Sequence, residues 1–278
     1  MFWRLHKAIF KNRIDEARQI LVEFGDQVQI VSDSALFESS ITDISGQPAL
    51  ALTTIQDARR ISGCFAGNTP WLYFNEKDYA VSRWMPSLIQ NVPILNWDGI
   101  WVPYGMLKNL SRSVVSSISS SDGEVFIKPD KGHKSFAGFT VSNKDFFNEI
   151  EETLAPINLY PEVMCFLAPG KVLKKFECRF WIVNRRVVCH SYYSWNEAVI
   201  EWMPATDKMK SIAQAVANNV WQPDIAYTAD VVETKNGDVF LCEINAASTS
   251  GVYTAPLKSL LYSLRNAAHS EFNGELTL

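Results

Sequence analysis

The sequence predicts an α+β protein, an α/β lobe at the N-terminus followed by a second lobe richer in strands. Three observations carry that expectation. Over residues 1–110 short apolar strands alternate with helix-period segments, the pattern of a small mixed sheet with helices packed on it. From Gly123 onward most ordered-looking segments are β-patterned runs. Between them lies a serine-rich stretch in which seven of the eleven residues from Ser111 to Ser121 are serine. Serine hydrogen-bonds its own backbone readily and packs poorly. The stretch reads as a short helix end and a hinge, or as a plain surface loop. The expected organisation is a lobe over 1–110, a linker over 111–122 and a second lobe over 123–278. A chain of 278 residues suits one large domain or two lobes.

The elements follow in order. Ile14, Ala17, Leu21 and Val22 recur at helical spacing, and Gly25 ends that helix. Val28 to Val31 and Ala49 to Thr53 read as short strands, and Asp57 to Ile61 as a helix. Pro70 to Phe74 reads as a strand, followed by a helix near Tyr79 to Leu88. Beyond the serine-rich stretch, Glu124 to Lys128 reads as a strand, Asp145 to Leu154 as a helix and Val163 to Phe166 as a short strand. Phe176 to Val183 and Val187 to Tyr193 read as strands around Asn184-Arg185-Arg186. Asp207 to Val220 is helical, with Ile212, Val216 and Val220 on one face. Tyr227 to Thr234 and Asp238 to Asn245 flank Asn236-Gly237 as a hairpin, and Leu257, Leu260, Leu261 and Leu264 mark a last amphipathic helix.

Composition narrows the function classes. Hydrophobic residues are 47% and charged residues 20%, ordinary for a folded soluble protein. Acidic residues number 30 against 26 basic, so nucleic acid, which demands positive charge, is not the expected partner. No run of 18 apolar residues occurs, so no membrane span is expected, and the start of the chain lacks the pattern of a secretory signal. The five cysteines, with no C-x-x-C pair, fit buried free thiols in a reducing cytoplasm better than a zinc site.

Chemistry concentrates in three places. The first is the hairpin around Asn236-Gly237, a dipeptide that favours a two-residue type I′ turn. In that register Lys235 faces Asp238, and counting back puts Asp230 opposite Glu243, with Asn245 on the same face. Like charges facing each other on a sheet repel. Here Val231, Val232, Leu241 and Ile244 surround them, so something positive belongs between them. Two carboxylates and an amide oxygen are hard ligands that suit Mg²⁺, which substrate phosphates and water commonly complete. The alternative is a strand pair whose acids point to water.

The second place is the strand ending in Lys128-Pro129 and the loop after it, which carries Gly132 and Gly138 with Lys131, His133, Lys134 and Ser135 between them. Glycines let backbone N–H groups approach an anion and lysines neutralise it, although a basic surface turn has the same composition. The third is Phe176 to Val183, where alternation puts Glu177, Arg179 and Trp181 on one face and Cys178, Phe180 and Ile182 on the other. A Glu and an Arg inside an apolar strand need pairing or a ligand. They form either a structural pair or a face that meets phosphate. His190 would stand beside Arg179 if the 184–186 turn is short, and a structural role is its alternative.

The order of these motifs resembles the ATP-grasp superfamily. Phe126-Ile127-Lys128-Pro129, Glu177-Cys178-Arg179-Phe180, Asp230-Val231-Val232-Glu233 and Cys242-Glu243-Ile244-Asn245 carry the resemblance, with Ser248 to Tyr253 adding to it. It covers roughly Gly123 to Tyr253 and is nearest to a compact bacterial and phage clade. The resemblance implies an ATP-grasp domain over 123–278, two α+β subdomains clasping the nucleotide, preceded by an α/β lobe. It implies ATP and Mg²⁺ as cofactors. Lys128 would contact the phosphates and Asp130 to Gly138 would close as a lid, with Gly132, His133 and Lys134 at the nucleotide. Glu162 and Met164 on the hinge strand would meet the adenine, and Glu177 would lie at the nucleotide or metal edge. Arg179 would touch the γ-phosphate and later an acyl phosphate. Asp230, Glu243 and Asn245 would hold the metal. Ser248, Ser250 and Gly251 would line the acceptor pocket. One departure is a missing lysine before the hinge strand, where Leu159-Tyr160-Pro161-Glu162 stands.

The implied chemistry is ATP-dependent ligation of a carboxylate to an amine, on a small molecule, a peptide or a protein end. A phosphotransferase on the same fold and a non-catalytic nucleotide-binding or interaction module remain alternatives. Trp195 and Trp202 flank a segment, 196–201, that could shape the acceptor pocket.

Overall fold

The computed structural model describes residues 1–32, 46–64, 72–131, 134–194 and 203–277. Among them the strands form three sheets, and the chain is α+β. The first sheet has the order β2-β1-β3, from β1 (Phe2–His6), β2 (Gln27–Val31) and β3 (Ala49–Leu52). Both pairings are parallel, so this sheet is not the mixed one the sequence suggested. Helices α1 (Lys7–Phe10) and α2 (Ile14–Glu23) make the crossover from β1 to β2, and such a crossover is what a parallel pair needs. The central strand β1 was not expected from sequence. It is five residues long and breaks its apolar run with Arg4, which is buried and donates to Gln29 Oε1 at 2.9 Å. The strand expected at Pro70 to Phe74 begins outside the described residues, and its described part, 72–74, is not regular.

Helix α3 (Ile55–Cys64) follows β3, and α4 (Val81–Leu88) leads to β4 (Ile100–Pro103). Strand β4 was also unexpected, and it corrects the domain boundary. It pairs with β7 (Met164–Pro169) in a second sheet of order β4-β7-β5-β6, with β5 (Glu124–Pro129) and β6 (Phe139–Ser142). The segment 111–122 therefore lies between two strands of one sheet and does not separate two lobes. It holds α6 (Arg112–Ser117), capped by the Ser111 side chain, after the short α5 (Tyr104–Leu107). Val115 and Ile118 bury into the core of this sheet beside Val125 and Ile127 and beside Phe146, Ile150 and Leu154 of α7 (Phe146–Leu154).

The third sheet, β11-β10-β8-β9, is antiparallel throughout, from β8 (Leu173–Val183), β9 (Arg186–Ser194), β10 (Ala226–Thr234) and β11 (Val239–Ala246). Its faces divide by alternation along β8. Cys178, Phe180 and Ile182 enter the core that includes Ile212 and Val216 of α8 (Asp207–Asn218). Trp181 and Val183 enter the other core, shared with the first sheet and α9 (Leu257–Phe272). Leu260, Leu261 and Leu264 of α9 are fully buried against Trp3, Leu5 and Leu50. At about 1.5–3 kcal/mol per buried side chain, they fasten the last helix to the first sheet. No helix among the described residues is long and apolar enough to cross a membrane.

Candidate functional site

Cross-strand register assembles the site. On β8, β10 and β11 three residues stand in a row, with Arg179 paired to Asp230 and Asp230 paired to Glu243. The expected opposition of Asp230 and Glu243 is thus present, by a different route. Of the turn residues only Gly237 has positive φ, at 87°, whereas a type I′ turn needs positive φ at two positions. Thr234 N–H instead donates to Asp238 O at 2.9 Å, which closes a three-residue loop. A bulge between Asp230 and Val231, where Cys242 is the extra residue on β11, cancels the resulting one-residue offset.

The positive charge the acids require is supplied by side chains. Arg179 Nε and Nη2 donate to Asp230 Oδ1 and Oδ2 at 2.8 and 2.7 Å, and Asp230 is fully buried. Tyr193 Oη and Asn245 Nδ2 also donate to Asp230 Oδ2, each at 3.0 Å. Lys134 Nζ reaches Glu243 Oε2 at 2.7 Å, Asn245 Nδ2 donates to the same oxygen at 3.1 Å, and Lys128 Nζ lies 3.9 Å from Glu243 Oε1. Burial pushes the Glu243 carboxyl up, but the two lysines outweigh it and hold it down at about 2. Glu177 behaves oppositely. Burial, then the Asp230 carboxylate, raises it to about 7, and it accepts a short hydrogen bond from Tyr193 Oη. Arg179 is desolvated, yet Asp230 raises its pKa further, so it is a permanent cation. The Tyr193 and Tyr253 rings stack 4.7 Å apart, and the Arg179 guanidinium lies 5.0 and 5.4 Å from their centroids.

Two cavities meet at this row. The larger, about 350 Å³, runs between the second and third sheets. Lys128, Lys134, Glu177, Glu243 and Asn245 line it, and so do Phe126, Phe136, Phe139 and Phe166. The smaller, about 170 Å³, is lined by Arg179, Ser250, Gly251 and Tyr253, and by Phe74, Glu76 and Tyr79 from the segment before α4. Lys134, Asn245 and Tyr79 belong to both.

Most of the expected residues converge here, and some do not. Lys128, Lys134, Glu177, Arg179, Asp230, Glu243, Asn245, Ser250 and Gly251 lie in or against the two cavities. Gly132, His133 and the 196–201 segment lie outside the described residues. Glu162 is exposed, and neither it nor Met164 lines the cleft. Their stretch is held elsewhere, because Met164 pairs with Pro103 of β4 and its carbonyl accepts from Asp130 N at 2.9 Å. Phe166, Lys171 and Leu173, around the connector from β7 to β8, line the cleft instead. Ser248 is fully buried outside both cavities; its Oγ accepts from Tyr73 N at 2.9 Å. Asp130 does not belong to a mobile cover, since its carboxylate accepts from Ser82 N at 2.7 Å, Ser82 Oγ at 2.8 Å and Trp101 Nε1 at 3.0 Å. His190 pairs with Phe180 and donates to Met203 O at 2.9 Å, a structural role.

Tyr193 and Tyr253 were missed. Tyr193 faces Glu177 only because a bulge after Trp181 shifts the β8–β9 register by one, and the same bulge moves His190 away from Arg179. The turn itself, Asn184-Arg185 with φ of 47° and 60°, is the two-residue kind, so a straight count gives the wrong partners.

The donor set fits a magnesium ion. Asp230, Glu243 and Asn245 offer hard oxygens, and Glu177 Oε1 is buried with no hydrogen-bond partner. Among the described residues no group of three His, Cys, Asp or Glu side chains could hold a metal alone. Phosphate oxygens would have to complete the shell, as is usual for Mg²⁺.

Comparison with known proteins agrees with this geometry. No curated protein matches the sequence. The solved structure of the D-cycloserine synthetase DcsG is similar, with a TM-score of 0.66 and 13% identity over 96% of this chain and 100% of that one. D-alanyl-alanine synthetase A from Vibrio cholerae gives 0.60 and 14%, over 99% and 98%. The ATP-grasp ligase PsnB, solved with a minimal precursor, gives 0.56 and 14%, over 97% and 98%. At such identities the likeness is one of fold. The model of an ATP-grasp domain, family 3 of its clade, matches residues 74–264, from the wall of the smaller cavity through β11 and into α9. The chain belongs to this family of ATP-grasp domains.

Proposed function

We propose that this protein is an ATP-dependent carboxylate–amine ligase. The observation that carries the reading is the junction of the two cavities. A long, largely apolar-walled cleft and a small polar pocket share Lys134 and Asn245, and Arg179 stands at the pocket with Asp230 behind it. The cleft takes ATP with its phosphates at Lys128 and Lys134, and the pocket takes the acid. A carboxylate oxygen of the acid attacks the γ-phosphorus and ADP leaves, giving an acyl phosphate. An amine nitrogen then attacks the acyl carbon, phosphate leaves and the nitrogen loses a proton, giving an amide.

Phosphoryl transfer of this kind depends on positioning and charge neutralisation, and the residues here are of those types. Arg179 uses Nε and Nη2 on Asp230, which fixes the guanidinium plane and leaves Nη1 for the transferring phosphoryl group. Lys134 lies beside both ligands and neutralises the acyl phosphate as charge moves from cleft to pocket. Asp230, Glu243 and Asn245 would hold Mg²⁺, which when bound neutralises the phosphate oxygens. Ser250 and Gly251 shape the pocket around the acid. The two similar ligases named above, one solved with a peptide precursor and one a D-alanyl-alanine synthetase, support small-molecule, peptide or protein ends as substrates.

The test is ADP release with Mg-ATP over panels of amino acids and peptides, with hydroxylamine added to trap an acyl phosphate as a hydroxamate. Hydroxamate that depends on the acid supports the ligase. A phosphorylated product formed with no amine dependence replaces it with a phosphotransferase. Mg-ATP binding without turnover across the panels leaves a nucleotide-binding module.

A further inference from the structure

The cleft has two chemically different ends. One carries Lys128, Lys134, Glu243 and Asn245, and the other is walled by Met85, Leu95, Phe166 and Leu173. Asn96 lies at that apolar end. It is only 7% exposed, and its Oδ1 is buried with no hydrogen-bond partner. Buried acceptors are rarely left without a donor, and an orphan in a ligand cleft points to the ligand.

The turn that presents Asn96 is tightly held. Asn96 has φ of 62°, and its carbonyl accepts from Gly99 N at 3.0 Å. Leu95 N donates to Leu241 O at 2.8 Å and Leu241 N to Pro93 O at 2.9 Å, which fixes the turn on β11. Leu241 precedes Glu243 by two residues and Asn245 by four, roughly 7 and 13 Å along a strand. On the other side Lys171 Nζ reaches Asp98 Oδ2 at 3.3 Å, which ties the turn to the β7–β8 connector. Gly99 lies there too, since a Cβ on it would meet the Phe166 ring at 2.3 Å. Asn96 is therefore held away from the phosphate-binding end, where the base of a nucleotide would lie.

We propose that Asn96 reads the nucleobase: its Oδ1 accepts a hydrogen bond from the exocyclic 6-amino group of adenine, so the cleft selects 6-aminopurine over 6-oxopurine nucleotides. The inference rests on the nucleotide reading of the cleft. A 6-oxopurine presents a lone pair at that position, so two acceptors face each other and neither regains the bond it had with water. The held backbone prevents the amide from swinging away.

The test is calorimetric binding of Mg-ATP, Mg-ITP and the triphosphate of unsubstituted purine riboside. Wild type should prefer ATP to either analogue by about ten-fold, the size of one hydrogen bond lost from a buried acceptor. Asn96→Gly keeps the left-handed backbone at small cost and deletes the amide. It should weaken ATP and leave ITP nearly unchanged, so the preference falls to within about three-fold. A folded Asn96→Gly protein that retains the wild-type ATP-to-ITP ratio overturns the inference and leaves the nucleotide reading standing. Equal binding of ATP and purine riboside triphosphate by wild type overturns it with no variant needed. A wild type that binds none of the three overturns both readings.

Discussion

Replacing Asp230 by asparagine removes one charge from the middle of the site with almost no change in shape. Asp230 is fully buried and accepts four hydrogen bonds, from Arg179 Nε, Arg179 Nη2, Tyr193 Oη and Asn245 Nδ2. An asparagine has one acceptor atom where the carboxylate has two, and its amide N–H groups would point at donors. The Arg179 side chain, 7% exposed, then keeps its charge without a counter-charge at bonding distance. Breaking a buried ion pair by removing one partner costs about 3–5 kcal/mol. At about 2–4 °C per kcal/mol for a chain near this size, the melting temperature should fall by roughly 6–20 °C. Thermal unfolding followed by circular dichroism, without nucleotide, measures it. Pairing Arg179→Met with Asp230→Leu should recover most of the loss, because apolar replacement of a whole buried pair is often neutral, while ATP turnover stays absent. An Asp230→Asn protein melting within about 2 °C of wild type would refute the claim that this pair balances the sheet.

Three other outcomes follow from the geometry. Gly99→Ala places a Cβ 2.3 Å from the Phe166 ring and 2.6 Å from Leu167 O, so overpacking should cost about 1–3 kcal/mol or more, read by urea titration, and should weaken nucleotide binding. Gly251→Ala puts a Cβ 3.0 Å from the Tyr253 ring, so it should raise KM for the acid several-fold while Mg-ATP affinity stays at the wild-type value. Asp224 is raised to about 8, first by burial, so the folded protein holds a proton there that the unfolded chain releases near pH 4. Its contribution is present below about pH 4 and lost as pH rises to 8, so Asp224→Asn should gain in melting temperature relative to wild type across that range.

Much of the site could be read from strand alternation, because burial of one face fixes which side each residue takes. Glu177 and Arg179 stand apart from Cys178 and Phe180 as a period of two requires. Bulges could not be read. In β10–β11 the Asp230/Glu243 pairing came out right because a longer turn and a bulge offset each other, whereas in β8–β9 a single bulge hid Tyr193 and misplaced His190. The adenine end was placed too early because β4 claims Met164 and Cys165, a pairing set by a segment 60 residues upstream that no local pattern announces. Ser248 misled for a related reason. A serine between motifs looks like a ligand group until its backbone partners are known.

Those partners bear on how this protein can be cut. Ser248 O accepts from Thr53 N at 2.7 Å, Ser248 N donates to Tyr73 O at 3.3 Å, and Val252 N donates to Ile9 O at 3.1 Å. The family match begins at residue 74, after all three of the partner positions. A fragment trimmed to that match would strip the loop carrying Ser250 and Gly251 of its backbone anchors and uncover the apolar side of α9. The unit that can be expressed, grafted or exchanged is thus larger than the unit that can be recognised by its motifs, and the first sheet has to travel with it.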